Sequence, residues 1–149
     1  MKSAYNMNHK SVIQFLLILL FAIRLEAQNP HTDENLTLAT NFYTSLCNDD
    51  KTYAMQLMDT KVKCDENCHG SQTGKFNVLE NILKSLNANA TRPKLSNIEY
   101  RTMSDDQILV TGNYRTGNGE SLTFAHWWWI KDEKLVRVRH YTDSPTIQN

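Results

Sequence analysis

Two histidines near the C-terminal end of the chain have the spacing of residues that can carry acid/base chemistry. His126 lies between Phe124 and Trp128 in a run of alternating apolar residues, and His140 follows Val138 in the next such run. This alternation is typical of β-strands and puts each imidazole on the apolar face of its strand. Because an imidazole titrates near neutral pH, it can donate or accept a proton in general acid–base catalysis. His126 and His140 are therefore the candidate catalytic residues.

The turn between these two strands decides whether the imidazoles meet. If the connection has an odd number of residues, His126 lies opposite His140 on the same face of the sheet. With a two-residue turn at Asp132 and Glu133, His126 instead faces Arg139, unless a β-bulge restores the pairing. Two facing imidazoles would form a proton-transfer pair. The alternative is one buried histidine and one exposed histidine.

Several aromatic residues are predicted to face the interior, where they could line a pocket for an apolar ligand. Each combines a large apolar ring with a polar group that can orient a bound molecule. The alternative is that these rings simply fill the core. The predicted substrate-binding residues are Tyr43, Tyr100, Tyr114 and Trp128.

The opposite face of the same strands carries two further tryptophans. Trp127 and Trp129 alternate with Trp128, so they point away from the predicted core. Outward tryptophans indicate a covered sheet surface, and we expect a homodimer through this face. The alternative is a monomer in which Arg137 and Arg139, on the same side, stack on the rings.

Three helices are predicted to position these residues. The first runs from Asp33, a helix-capping residue, to about Cys47, and a short second helix begins at Asp50 or Thr52. The third begins at Gly74. Its predicted apolar face consists of Phe76, Leu79, Ile82, Leu83 and Leu86.

The remaining segments have the period of strands. A brief strand is predicted at Thr60–Cys64, and four longer strands after Pro93 form an antiparallel meander with turns at 105–106, 117–119 and 132–133. In the final strand, Val136 is predicted to face inward together with His140. Gly112, in mid-strand, predicts a bulge or bend that curls the sheet. The fold class is α+β, with three helices packed in a curved antiparallel sheet.

The N-terminal segment 1–27 has the composition of a secretory signal peptide. Lys2 and Lys10 precede an apolar run from Val12 to Ile23, which is shorter than the roughly 20 residues of a membrane span. Cleavage near Ala27 would give a secreted or periplasmic protein without a stable membrane span. The alternative is an uncleaved anchor. The segments that follow are a flexible lead-in at 28–34, one domain at 35–143 and a tail at 144–149.

The charge balance of the chain excludes a general affinity for nucleic acid. Its 149 residues include 16 Lys and Arg and 16 Asp and Glu, so the formal net charge is zero. The predicted signal peptide carries more basic than acidic residues, so the exported domain is slightly acidic. Nucleic acid is therefore not an expected partner.

Cys47, Cys64 and Cys68 predict one disulfide and one free thiol, and all three pairings are open. The cysteines lack the spacing of a structural metal site, so neither a metal nor another cofactor is expected. Asp65 and Glu66 are predicted to be loop carboxylates in water.

At the level of whole segments, the chain resembles the NTF2-like superfamily and most closely its SnoaL-like branch. The resemblance covers roughly Asn35 to Asp143. It is carried by LCNDDKTYAMQLM at the end of the first helix, by Gly74, and by HWWWIKDEKLVRVRHYTD at the end of the domain. The family fold implied is a cone in which a curved sheet wraps around helices and encloses an apolar pocket.

This resemblance implies several functions rather than one, because the family includes polyketide cyclases, isomerases, dehydratases and non-catalytic binding proteins. The acid/base Asp of SnoaL-like cyclases falls on His140, which departs from the family pattern. The base of the ketosteroid isomerase branch falls on Cys64, beside Asp65, so that role is not carried over. We therefore expect an exported protein that binds a small apolar molecule, with acid/base catalysis in its pocket. The alternative is a non-catalytic binding or dimerisation module.

Overall fold

The structure is a computed structural model that describes residues 30–65, 71–86 and 92–142. The predicted signal peptide, the C-terminal tail and Cys68 lie outside the described residues. Within the described residues, no helix combines the length and the apolar character needed to cross a bilayer.

Three helices lie where the sequence predicts them, with one shifted boundary. They are α1 (Pro30–Cys47), α2 (Lys51–Leu57) and α3 (Lys75–Ser85). Helix α1 begins before Asp33, whose carboxylate lies in the first turn, where a negative charge is favourable. The segment 28–34, expected to be a flexible lead-in, is therefore helical from Pro30 onward.

The starts of the two later helices follow from their capping residues. Asp50 caps α2, because its side chain accepts a hydrogen bond of 2.9 Å from the backbone N–H of Tyr53. Gly74 precedes α3 with a φ of 92°, a conformation that is costly for other residues. These positions agree with the predicted helix starts at Asp50 and Gly74.

The buried face of α3 differs from the prediction at one residue. Phe76 is 67% exposed, whereas Val78 is fully buried. Val78 shares the buried stripe with Ile82 and Leu86 at four-residue spacing, and this places Phe76 at the edge of the stripe.

Six strands form one curved sheet that does not close on itself, with the strand order β2-β1-β6-β5-β4-β3. The strands are β1 (Met58–Cys64), β2 (Gln72–Thr73), β3 (Leu95–Ser104), β4 (Gln107–Arg115), β5 (Ser121–Lys131) and β6 (Lys134–Thr142). Strands β3 to β6 form the predicted antiparallel meander. The sheet is mixed rather than antiparallel, because β1 pairs in parallel with β6. The meander leaves the outer edge of β6 unpaired, and β1 occupies it.

A bulge next to the last turn sets the register of β5 against β6. Asp132 and Glu133 both have positive φ, as the two central residues of a type I′ turn require. Beyond the turn, Trp129 pairs with Arg137 and Ile130 with Leu135, so Val136 is the extra residue of a bulge. The prediction that Val136 faces inward is therefore wrong.

The curvature at Gly112 arises from a second bulge in the neighbouring strand. Asn97 and Ile98 of β3 together oppose Gly112 of β4, and Asn97 has a φ of 51°. A Cβ atom on Gly112 would lie 2.8 Å from the ring of Phe124. The glycine thus allows the aromatic ring to pack against the backbone of the next strand, as its mid-strand position predicted.

The core lies between the helices and one face of the sheet. Its largest fully buried side chains come from both layers and include Phe42, Tyr43, Leu46, Met58, Leu79, Ile82, Leu86, Ile108, Trp128 and Leu135. Phe42 of α1 contacts Trp128 of β5 edge-on, with ring centroids 5.2 Å apart. This helix–sheet contact fixes α1 against the strands that carry the two histidines.

Candidate functional site

The two candidate histidines face each other in the interior. His126 pairs directly with His140 across β5 and β6, and the two side chains are 0% and 3% exposed. The bulge at Val136 produces this pairing despite the two-residue turn, which was one of the two registers open from the sequence. The alternative, one buried and one exposed histidine, is therefore wrong.

The imidazoles of the pair are hydrogen-bonded to each other. Nε2 of His126 and Nδ1 of His140 are the two atoms joined, and the ring centroids are 4.5 Å apart. One ring nitrogen of each histidine is therefore engaged in the pair. A proton can pass between the rings along this bond.

Tyr43 and Trp128 continue the hydrogen bonds into the core. The hydroxyl Oη of Tyr43 lies 2.5 Å from Nδ1 of His126. The indole N–H of Trp128 donates a hydrogen bond of 3.0 Å to the same Oη atom. We call the chain Trp128–Tyr43–His126–His140 the buried relay. It combines one residue of α1 with two residues of β5 and one of β6.

Burial keeps the middle of the relay uncharged. The pKa of Tyr43 is raised well above 10.0, chiefly because burial disfavours the phenolate, although the hydrogen bond from Trp128 works in the opposite direction. The pKa of His126 is lowered well below 6.5, first by burial and second by the charge of His140. Near neutral pH, Tyr43 is therefore a protonated phenol and His126 a neutral imidazole.

The predicted pocket-lining residues divide into two groups. Tyr43 and Trp128 belong to the buried relay, and half-buried Tyr100 contacts the ring of Tyr43 at 6.1 Å and borders a groove of about 370 Å³. Tyr114 is buried but pairs with Leu122, four residues along β4 from the position that pairs with His126. The structure thus places Tyr43, Trp128 and Tyr100 near the histidines and leaves Tyr114 further along the sheet.

Sequence reasoning missed the hydrogen-bonding role of Tyr43. It treated this residue only as a pocket-lining aromatic, since nothing in the sequence relates a helix residue to a strand residue 83 positions later. The available signal was chemical: a tyrosine on a buried helix face needs a hydrogen-bond partner for its hydroxyl. Two buried imidazoles on the opposing sheet face are the polar groups available to provide one.

The outer face of β5 and β6 carries a different arrangement. Trp127 and Trp129 stack with ring centroids 5.2 Å apart, and the guanidinium groups of Arg137 and Arg139 lie 4.9 Å and 5.7 Å from the ring of Trp129. Both arginines donate hydrogen bonds to Asp65. We call these five residues the outer cluster. It matches the alternative in which arginines stack on surface tryptophans, and the homodimer stays a prediction.

Asp65 is bound rather than surrounded by water as expected. Its carboxylate accepts hydrogen bonds of 2.9 Å from Arg137 and 2.8 Å from Arg139. Burial alone would raise the pKa of Asp65, but the hydrogen bonds and charges of the two arginines outweigh burial and lower it. The prediction failed because the parallel pairing of β1 with β6 was not foreseen.

The described cysteines agree with one disulfide and one free thiol. Cys64 is disulfide-bonded, and Cys47 is free and half-buried, which excludes the two pairings that involve Cys47. Burial raises the pKa of the Cys47 thiol, so it is not an activated nucleophile. Among the described residues, no group of three or more His, Cys, Asp or Glu side chains could hold a metal ion.

Similarity to known proteins lies in the fold of the domain rather than in its sequence. No protein-family model matches the chain, and no curated protein is significantly similar to it. The fold, in contrast, has many counterparts among solved structures.

A proposed polyketide cyclase from Xanthomonas campestris pv. campestris is 16% identical, with a TM-score of 0.60 over 76% of this chain and 93% of that one. A proposed ketosteroid isomerase from Kribbella flavida is 14% identical, with a TM-score of 0.59 over 78% and 83%. An NTF2-like protein of unknown function from Burkholderia pseudomallei is 18% identical, with a TM-score of 0.56 over 74% and 91%. The described domain therefore has the NTF2-like fold.

Proposed function

We propose that this protein binds a small, largely apolar molecule and carries out acid/base chemistry on it at His140, with His126 as the partner imidazole. The observation that carries the proposal is the hydrogen-bonded pair of buried histidines. Two titratable rings in an apolar core are costly to bury, and perturbed titratable groups cluster at functional sites.

The position of each ring within the relay supports distinct roles. His126 has both ring nitrogens engaged, one with Tyr43 and one with His140, so it cannot also contact a ligand through nitrogen. His140 uses only Nδ1 in its hydrogen bond with His126. We therefore assign contact with the ligand to His140 and the orientation of its ring to His126.

The apolar surroundings indicate the chemical class of the ligand. The relay is enclosed by rings and aliphatic side chains, with Phe124 5.0 Å from His126 and Tyr100 at the edge of Tyr43. Apolar walls with a few convergent polar groups are typical of sites for small organic molecules. The similarity to proteins proposed to act on polyketides and ketosteroids points in the same direction.

Deuterium exchange tests the acid/base function directly. The purified exported protein is incubated in deuterium oxide with apolar ketones such as 2-tetralone, and deuterium on the carbon next to the carbonyl is measured by mass spectrometry. We expect exchange about 100-fold or more above that with an equal concentration of imidazole. His140→Gln should abolish the excess, whereas Tyr141→Phe, which changes an exposed neighbour, should keep it. Equal rates for wild type and His140→Gln would contradict catalysis and favour a non-catalytic binding protein.

We also propose that the protein is exported with cleavage near Ala27. The apolar run Val12–Ile23 behind two lysines supports this, and the disulfide at Cys64 suits an oxidising compartment. Mass spectrometry of the secreted or periplasmic protein should find Gln28 as the first residue. A full-length chain retained in the cytoplasm would contradict export.

Assembly through the outer sheet face is a separate proposal. Trp127 and Trp129 are only half-buried in the single chain, so a second copy could cover them. Sedimentation equilibrium should give a dimer that Trp129→Ala weakens. A wild-type protein that stays monomeric at high micromolar concentration would contradict assembly through this face.

A further inference from the structure

We infer that the free edge of strand β3 is an interaction surface, at which it pairs in antiparallel register with β3 of a second copy of this chain. The pairing is centred on Tyr100, so that Glu99 of each copy lies opposite Arg101 of the partner subunit. This surface is distinct from the outer cluster and from the histidines of the candidate site.

Strand β3 is the last strand at one end of the sheet, and β4 is its only strand neighbour among the described residues. An edge strand presents a row of backbone N–H and C=O groups that can pair with another strand. The bulge at Asn97 and Ile98 bends β3, so the regular part of its edge begins at Glu99. The side chains of 101–104 are exposed, which leaves this part of the strand accessible.

The hydrogen bonds between β3 and β4 show which backbone groups of β4 are directed at β3. The backbone N–H of Arg115 donates to the carbonyl oxygen of Lys94 over a distance of 3.1 Å. Backbone direction alternates along a strand, and β4 pairs with β5 without a register shift. The backbone groups of Thr111 and Leu109 are therefore directed at β3, as those of Arg115 are.

The same alternation identifies the backbone groups of β3 that face its free edge. Thr111 and Leu109 pair with Glu99 and Arg101, so the backbone groups of these two residues are directed at β4. The backbone groups of Tyr100, which lies between them, point in the opposite direction. The free edge therefore offers the N–H and C=O groups of Tyr100 to a further strand.

The charges on β3 select one register for a pair of identical strands. Glu99 and Arg101 are exposed and lie two residues apart, so they share one face of the sheet. A register centred on Tyr100 places each of them opposite the other residue type in the partner subunit. Centring the pair on Glu99 or on Arg101 would bring two like charges together. Opposite charges across a strand pair are favourable and like charges unfavourable, which favours the register centred on Tyr100.

The same charges restrict which partner fits this edge. Charged side chains on edge strands commonly prevent pairing with other proteins. A strand from another protein must present the reverse order of charges at the same spacing, whereas a second copy of β3 does so by two-fold symmetry. The interface consists of one strand pair and is smaller than the roughly 1,600 Å² of a standard interface, so we expect a dissociation constant of about 10–100 μM.

Charge reversal tests the register. In sedimentation equilibrium of the exported protein, Glu99→Arg and Arg101→Glu should each weaken dimerisation about tenfold or more, because each variant sets like charges against each other. An equimolar mixture of the two variants should dimerise about as tightly as wild type, since one copy then supplies both arginines and the other both glutamates. This recovery would also exclude misfolding of the single variants.

The matched controls are Arg115→Glu and Glu120→Arg, which reverse exposed charges outside β3 and should leave dimerisation unchanged. Single variants of Glu99 and Arg101 that dimerise like wild type would overturn the inference. A mixture that does not recover dimerisation would overturn it as well.

Hydrogen exchange measured by NMR locates the interface. The N–H of Tyr100 should exchange more slowly at high protein concentration than at low concentration, whereas the N–H of Arg101, directed at β4, should be protected at both. A dimer through the outer cluster would instead leave exchange at Tyr100 unchanged and would be weakened by Trp129→Ala but not by Glu99→Arg. That result, or a protein that stays monomeric at high micromolar concentration, would overturn pairing through β3.

Discussion

The two faces of strands β5 and β6 both carry aromatic and basic side chains, but these are neutral and buried on the inner face and charged and partly exposed on the outer face. Inside, a tryptophan, a tyrosine and two histidines form a neutral hydrogen-bonded relay. Outside, two tryptophans and two arginines form a charged, stacked cluster around Asp65. Burial causes this difference in charge, because the inner groups lose the solvation that a charge needs, whereas the outer groups keep it. The inner groups are therefore neutral near neutral pH, whereas the outer groups stay charged.

Neighbouring tryptophans on the two faces give the sharpest comparison. Trp128 is fully buried and Trp129 half-buried. Trp128→Ala should lower the free energy of unfolding by about 3–5 kcal/mol, because it leaves a large cavity. Trp129→Ala should cost about 1 kcal/mol. Urea denaturation of the two variants measures both values, and equal losses would show that the two faces do not differ in this way.

The tyrosine hydroxyl of the relay should also stabilise the fold. Tyr43→Phe removes the hydroxyl that accepts from Trp128 and is hydrogen-bonded to His126, so two buried polar groups lose a partner. We expect a loss of about 1–3 kcal/mol in the free energy of unfolding. Tyr141→Phe, the exposed control, should stay within about 0.5 kcal/mol of wild type. The urea midpoint distinguishes the two variants, and a neutral Tyr43→Phe would mean that water replaces the hydroxyl.

The inner face should make stability depend on pH. The folded pKa of His126 lies below its unfolded value of about 6.5. Below that pH the unfolded chain binds a proton that folded His126 does not, so the free energy of unfolding falls as the pH decreases. The slope should reach about 1.4 kcal/mol per pH unit well below pH 6.5, and this contribution should be constant well above it. Unfolding at several pH values should give a shallower slope for His126→Gln than for wild type, and identical slopes would contradict a neutral buried His126.

A substitution in the outer cluster should change the free energy of unfolding least. Among these predictions, it is the one whose effect salt should reduce. Asp65→Asn removes the carboxylate that binds Arg137, and the loss should be about 1 kcal/mol or less because this ion pair is partly exposed. Thermal unfolding at low and high salt should show the difference from wild type shrinking as salt increases. An effect that does not change with salt would indicate packing on Trp129 rather than charge.

Much of the fold follows from local patterns in the sequence. Helical spacing located the three helices, and period-two alternation located the four strands of the meander with His126 and His140 on apolar positions. The parallel pairing of β1 with β6 could not be predicted, because it joins residues about 75 positions apart through backbone groups common to every residue. Asp65 was misjudged for the same reason, since its partners lie on β6.

In the candidate site, too, some features follow from local sequence patterns and others depend on long-range packing. The residues that could do chemistry are identifiable from the sequence, because side-chain type and strand period are local properties. The contact between the imidazoles depends on the tertiary structure, since one bulged residue, Val136, changes the pairing that the two-residue turn would give. The position of Tyr43 of α1 in the relay depends on the tertiary structure as well. A hydrogen bond needs its two atoms within about 3 Å, and only the packed core brings a helix and a sheet that close.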